Sequence, residues 1–216
     1  MEVDFLRWIE HAGFLLEING KNVYIDPFRM QGNMPKADII FITHTHFDHY
    51  NEDEIKKIAT QKTKFVAPIE TAGKMSRRDV LAVEPNKDYE IDGIKFRTVP
   101  AYNISKEFHP KVNGWVGYII DVNGIKVYHA GDTDATEEMK KVKADILLLP
   151  VGGHYTMDLE DAIKIANIVK AQGVAPMHYR SLLGLDGSKK AEEEFRKRVK
   201  NYLMLEQIQE PYYSFQ

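Results

Sequence analysis

The alternation of apolar and polar positions divides the chain into short strands and a few amphipathic helices. Strand patterns fill the first 30 residues. Residues 14–18 and 23–25 flank Asn19-Gly20, a dipeptide suited to a tight hairpin turn. A near-continuous apolar run over 37–43 is expected to be a buried strand. Asn51 followed by Glu54 marks a helix start, which predicts a short helix over 52–60. Strands are expected over 64–67 and 80–83, with a helix over 69–76 between them. From Tyr89 to Tyr128 the pattern is strand again, punctuated by Asp92-Gly93 and Asn123-Gly124. Beyond it, helices are predicted over 134–142, 158–171 and 189–201, and strands over 145–150 and 174–177.

Hairpin-rich β sequence thus passes into alternating βα twice, roughly over 1–79 and 80–216. A single domain of two such halves satisfies this pattern. It is expected to be an α/β fold with mixed sheets, a four-layer αββα sandwich with the helices outside. A doubly wound sheet competes, but three hairpin turns and the absence of G-x-G-x-x-G count against it.

Composition adds exclusions. None of the 216 residues is cysteine, which removes thiol nucleophiles, thiolate metal ligands and redox switching. A formal charge of −3 argues against a surface that grips nucleic acid throughout. The opening MEVDFLRWIE lacks the apolar segment of a secretory signal. The longest apolar runs, 39–42 and 146–151, fall far short of the ~20 residues a membrane helix needs. The expectation is a soluble, cytoplasmic protein acting on a small molecule, with no membrane partner and nucleic acid disfavoured. Tyr212, Tyr213 and Phe215 in the tail would pack on the chain's own core or in a homo-oligomer.

The informative segment is His44-Thr45-His46-Phe47-Asp48-His49, which holds three of the eight histidines. Residues i and i+2 of an extended strand share a face, so His44 and His46 can converge on one ion. The turn that follows would swing Asp48 and His49 towards a second. Four ligand-type residues at one strand end suit a binuclear site with ions about 3.5–4 Å apart. The helical H-E-x-x-H spacing is absent.

This segment resembles the H-x-H-x-D-H signature of the metallo-β-lactamase superfamily. Tyr128-His129-Ala130-Gly131-Asp132-Thr133 is similar to the segment that supplies its bridging aspartate, and Pro176-Met177-His178-Tyr179 to its late histidine segment. Trp8–Phe14, Asp26-Pro27-Phe28 and Leu149–Gly153 resemble a narrower, lactonase-like branch of metal-dependent hydrolases. The resemblance runs in order over nearly the whole chain and implies the same αββα sandwich, with metals at one edge between the sheets.

It also implies roles. His44 and His46 would hold a first metal, Asp48, His49 and His178 a second, with Asp132 bridging. The family's third histidine for the first metal falls where this chain has Asn103, and His109 lies six residues on. Either His109 supplies the ligand through a rearranged loop, or Asn103 coordinates through its amide oxygen. Imidazole is the better zinc ligand, which favours His109. Two divalent ions are expected: zinc is favoured by ligand type, and manganese or iron is compatible. The implied reaction is attack of a metal-held hydroxide on an ester-like bond, a lactone or phosphate ester ahead of an amide. Asp48 and Asp132 would position that hydroxide and accept a proton.

His154, in a glycine-bounded loop before a predicted helix, is expected to donate a proton or to contact an anionic substrate group. His11 would touch substrate, orient a ligand or simply fill the interior. Asp26 and His129 are candidate partners for ligand imidazoles, and Tyr179 and Arg180 for a carboxylate or phosphate. Two rival functions stand beside this one: an RNA-processing nuclease of the same superfamily, and a non-catalytic metal or ligand sensor with a degraded first site.

Overall fold

The three Asx-Gly pairs expected to turn hairpins all do so. Both residues of each pair have positive φ (53° and 75° at Asn19-Gly20, 50° and 81° at Asp92-Gly93, 53° and 92° at Asn123-Gly124). Such turns match the right-handed twist of the flanking strands. They belong to a computed structural model that describes residues 3–76, 79–205 and 207–213. The first sheet runs in chain order through β1 (Leu6–Glu10), β2 (Gly13–Ile18), β3 (Lys21–Ile25), β4 (Ile39–Phe41), β5 (Lys64–Pro68) and β6 (Val80–Val83). The second holds β7 (Asp88–Ile91), β8 (Ile94–Pro100), β9 (Val116–Val122), β10 (Ile125–His129), β11 (Ile146–Pro150) and β12 (Gly173–Met177), again in sequential order. In each, antiparallel strands come first and parallel strands follow. The changeover between sheets falls after Val83, so residues 80–83 pair with the first half of the chain.

The inner faces pack against each other. Phe41 of the first sheet meets Phe96 and Tyr118 of the second edge-on, each at 5.0 Å between centroids. Tyr118 Oη donates to the Ile42 carbonyl at 2.7 Å, so this core tyrosine is satisfied across the interface. The outer face of the first sheet buries Leu15, Tyr24, Ile40 and Phe65 together with Ile55 and Ile58 of helix α1 (Glu52–Ile58). Asn51 caps that helix by accepting from the Asp53 and Glu54 amides. Helix α2 (Ile69–Ala72) follows β5. Helices α3 (Leu159–Ile168) and α4 (Arg180–Arg198) flank the second sheet through residues such as Ile163, Ile165 and Phe195. The αββα layering expected from the sequence is the one observed.

Several helices differ from expectation. Residues 134–142 contain only a single 3₁₀ turn, Met139–Lys141. Polar side chains there bond elsewhere: Thr136 Oγ1 accepts from the Met139 amide, and Asp134 is drawn into the loop 103–106. Helix α2 stops well before residue 76. The last helix starts at Arg180 rather than 189, and bends at Gly184, where φ is 66°. The tail lies along the chain's own edge strand: Gln207 bridges Trp8, and the Arg29 guanidinium sits 3.7 Å from the Tyr212 ring centroid. Phe215 lies outside the described residues. Among those described, no helix is long and apolar enough to cross a membrane.

Candidate metal centre

Loops following β1, β4, β8, β10 and β12 converge at one edge of the sandwich and bring together six imidazoles with Asp26, Asp48 and Asp132. All are buried except His46 and Asp48, which are half-buried. Strand β4 ends at Phe41, so strand alternation does not align His44 with His46. The chain then runs through His44 into a turn in which the His46 carbonyl accepts from the His49 and Tyr50 amides at 3.0 and 2.8 Å. His44 Nε2 and His46 Nδ1 end 3.1 Å apart. Asp132 is swung inward by Gly131, whose φ is 65°. His129 shapes this turn rather than partnering a ligand ring: Nε2 donates to the Ala12 carbonyl at 2.8 Å, and Nδ1 accepts from the Gly131 amide. His178 has a left-handed backbone (φ 58°) and donates its amide to the His11 carbonyl at 3.0 Å. Its ring fits because Gly152 has no side chain; a Cβ there would lie 3.0 Å from His178 Nδ1.

Among the described residues, three donor groups have their atoms within 4.8 Å of one another; one, Asp26 with His44 and His49, is the set joined through Thr43, and the other two face Asp132. Of these two, one is His44, His46 and His109; the other is His11, Asp48, His49 and His178. Asp132 stands between them. Its Oδ2 lies 3.2 Å from His109 Nε2, 3.0 Å from His178 Nε2 and 3.9 Å from His44 Nε2, and its Oδ1 lies 3.3 Å from His49 Nε2. Outer hydrogen bonds fix the tautomers. His49 Nδ1–H donates to Asp26 Oδ2 at 2.7 Å. The Thr43 hydroxyl donates to the same oxygen at 2.6 Å, so Thr43 Oγ1 is free to accept from His44 Nδ1–H at 2.9 Å. His109 Nδ1–H donates to Asn103 Oδ1 at 2.9 Å. The Nε2 atoms of His44, His49 and His109 therefore all face inward.

Inward nitrogens facing carboxylate oxygens need protons or cations between them. His49 Nε2, His109 Nε2, His178 Nε2 and Asp132 Oδ1 are buried without a hydrogen-bond partner, which is costly for polar atoms. Imidazole nitrogen and carboxylate oxygen without sulfur form a donor set that fits divalent cations. Electrostatics agree. Burial disfavours charge on His178, but Asp132 and Asp48 outweigh it and raise its pKa to about 9. His49 is likewise raised well above the usual range, against burial, by Asp132, Asp26 and Asp48. Burial opposes ionisation of Asp132 and Asp48, yet the surrounding imidazoles hold both carboxyls well below the usual range. Burial and the adjacent His109 push His46 down to about 4. Without cations, protons on His178 and His49 balance the two carboxylates.

Asn103 is not aimed at the cage. Its Oδ1 accepts from both the amide and Nδ1–H of His109, while Nδ2 donates to Asp134 Oδ1 and to the Tyr155 carbonyl. Of the two residues, His109 turns its Nε2 towards Asp132 and groups with His44 and His46, and Asn103 holds its Nδ1. Lys106 ties this loop to Asp134 and to the Gly153 and Thr156 carbonyls. Trp115, which carried no sequence signal, packs against His44, His46 and His109 and donates Nε1–H to Glu70 at 2.8 Å. His154 is exposed, its ring against Phe108 and Tyr155 rather than the buried imidazoles. Tyr179 and Arg180 both bond Glu192, and Arg180 also stacks over Trp8, so neither is turned towards the cage. Asp134, Lys106 and Ser181 were also not singled out from sequence; the position of Asp134 two residues after Asp132 was the one available hint.

Residues 5–178 match the β-lactamase superfamily domain. The chain is 32% identical over 210 residues to a UPF0173 metal-dependent hydrolase of Thermococcus onnurineus, covering 90% of this chain and 91% of that protein. It is 35% identical over 193 residues to a second one from Thermococcus kodakarensis, covering 82% and 84%. A solved structure from Parabacteroides distasonis, named as a metal-dependent hydrolase, superposes with a TM-score of 0.82 at 30% identity, over 94% of this chain and 92% of that one. Another, from Thermotoga maritima and named as a zinc-dependent hydrolase of the metallo-β-lactamase superfamily, gives a TM-score of 0.57 at 28% identity, over 82% and 76%. With this fold, this cage and these relatives, the chain belongs to the β-lactamase superfamily, as a metal-dependent hydrolase of its UPF0173 group.

Proposed function

We propose that the centre holds two divalent cations, with zinc favoured and manganese or iron as alternatives, and hydrolyses an ester-like bond. The substrate would be a small, anionic lactone or phosphate ester, met in the cytoplasm. One observation carries this reading: both oxygens of Asp132 face histidine nitrogens from the two donor groups, and His49 Nε2, His109 Nε2 and His178 Nε2 are buried without a hydrogen-bond partner. When bound, such cations supply Lewis acidity and lower the pKa of a coordinated water towards ~7.

The chain's own residues do the rest. His44, His46 and His109 would hold one ion, Asp48, His49 and His178 the other, and Asp132 both. Asp26, Thr43 and Asn103 keep the ligand rings in the required tautomer. Asp48 and Asp132, kept ionised by their imidazole neighbours, are the groups able to accept a proton from the attacking water. His154 lies outside the cage and would meet an anionic part of the substrate, on the loop that also carries Tyr155. The formal charge of −3 favours a small molecule over RNA.

The test is a hydrolysis screen of protein purified without a metal-affinity tag and loaded with zinc or manganese. It covers lactones, phosphomonoesters, phosphodiesters and amides. Turnover of an ester-type bond, lost on chelation and in Asp132→Asn, is expected. Turnover confined to amides, or ester turnover that survives demonstrated metal removal, overturns the reading.

A further inference from the structure

His11 is the one buried imidazole of the cluster to which the sequence assigned no definite role. It follows β1, the edge strand of the first sheet, just as His178 follows β12, the edge strand of the second. The two are joined: the His178 amide donates to the His11 carbonyl at 3.0 Å, and the ring centroids are 3.7 Å apart. Both residues have left-handed backbones, φ 54° at His11 and 58° at His178. A non-glycine residue in this region is strained, and such strain persists where the surroundings enforce it, commonly at functional sites.

The surroundings of His11 are specific. Buried Glu10 accepts from the His11 amide at 3.1 Å, and Trp8 Nε1–H donates to its carbonyl at 3.1 Å. Glu10 is itself anchored by Gln207 and the Tyr212 amide. The turn is thus held from both sides, and it directs Nε2 into the centre, 3.0 Å from Asp48 Oδ2. On its outer side, Nδ1 meets Ser181 Oγ at 3.1 Å. This is the arrangement of three of the other ligand-type rings: Nε2 inward, Nδ1 fixed outside by an oxygen, as in His44 with Thr43, His49 with Asp26 and His109 with Asn103. The 3.0 Å between His11 Nε2 and Asp48 Oδ2 equals that between His178 Nε2 and Asp132 Oδ2.

We propose that His11 is a protein ligand of the second half of the centre, joining Asp48, His49, His178 and Asp132, with Ser181 Oγ accepting its Nδ1–H to fix the tautomer. The proposal rests on the reading of the centre as a two-cation site. It makes the two halves unequal: the first is enclosed by three histidines and Asp132, while the second gains a fifth donor, supplied from the edge strand of the first sheet.

The test is cobalt titration of chelator-stripped protein, followed by visible absorption and by bound cobalt per chain after dialysis. His11→Asn is the first variant, because asparagine tolerates positive φ and its amide can keep the contact with Ser181 while Nε2 is lost. Ser181→Ala is the second, leaving the turn intact and removing only the outer partner. Wild type is expected to bind two equivalents. His11→Asn should keep one with unchanged affinity and bind the other at least tenfold more weakly, with an altered cobalt spectrum. Ser181→Ala should weaken the same equivalent by a smaller factor. If His11→Asn fails to fold, the Ser181→Ala result decides. Two equivalents with wild-type affinities and spectrum in whichever variant folds would overturn the ligand role and leave the two-cation reading standing. Fewer than two equivalents in wild type would remove that reading, and the proposal with it.

Discussion

Replacing Asn103 with alanine tests whether one amide organises the first half of the centre. Asn103 is 7% exposed and bonds four partners: the amide and Nδ1–H of His109 at 3.0 and 2.9 Å, Asp134 Oδ1 at 3.2 Å and the Tyr155 carbonyl at 3.0 Å. Truncation leaves two His109 donors without an acceptor in a site that admits little water. Each such loss costs about 1–3 kcal/mol, so the metal-free protein should lose about 2–6 kcal/mol in urea unfolding. The His109 ring would also be free to rotate and to change tautomer. Loss of an outer partner of a ligating histidine lowers metal affinity by about 10–100-fold, equivalent to about 1.4–2.7 kcal/mol. Competitive chelator titration measures this directly. Asn103→Asp retains an acceptor for His109 but sets a carboxylate against Asp134. It should therefore lose stability yet keep most of the metal affinity. Wild-type affinity in Asn103→Ala, or equal affinity losses in both variants, would refute the reasoning.

Further outcomes follow from the same geometry. His178, with a pKa raised to about 9, and His49, held well above the usual imidazole range by Asp132, Asp26 and Asp48, hold protons in the metal-free state that cations must displace. Those protons stabilise the metal-free fold below pH 6.5, and the His178 contribution fades as pH rises through about 9. Metal affinity should accordingly rise with pH over 6.5–9, by up to about tenfold per unit for each proton displaced. Calorimetry at pH 7.5 in buffers of different ionisation enthalpy should show proton release, and identical heats would contradict it. Gly152→Ala places a Cβ 2.8 Å from the His178 carbonyl and 3.0 Å from its Nδ1. The ring must shift, so one of two bound equivalents should weaken while the other holds; two unchanged equivalents would count against the placement of His178. His154→Ala should leave metal content at the wild-type level and alter only KM or kcat, whereas metal loss would place it inside the cage.

How much of this was readable from sequence depended on range. The cluster over 44–49 is local, and its residue types alone pointed to paired ions. The strand itself is shorter than expected, because β4 ends at Phe41 and His44 and His46 lie beyond it, ahead of the turn over 46–50. Asp132 and His178 lie far along the chain and were reached only through resemblance. The choice between Asn103 and His109 needed the hydrogen bonds themselves, since both fill adjacent places and only one faces inward. Residues 134–142 read as helix because their spacing is helical, but Asp134 bonds across to the 103–106 loop and Thr136 Oγ1 accepts from the Met139 amide, at a single 3₁₀ turn. The last helix was expected only from residue 189; the stretch from Arg180 is helical too, interrupted at Gly184, whose φ is 66°. The three hairpins were legible because two-residue turns of this kind depend almost entirely on the residues in them.

The placement of Asp132 between two cations is tested most directly by diffraction from crystals of the loaded protein, with data on either side of the bound metal's absorption edge. Two anomalous peaks are expected, one among His44, His46 and His109 and the other among Asp48, His49 and His178, with Asp132 in contact with both. A single peak, or density away from Asp132, would contradict the account.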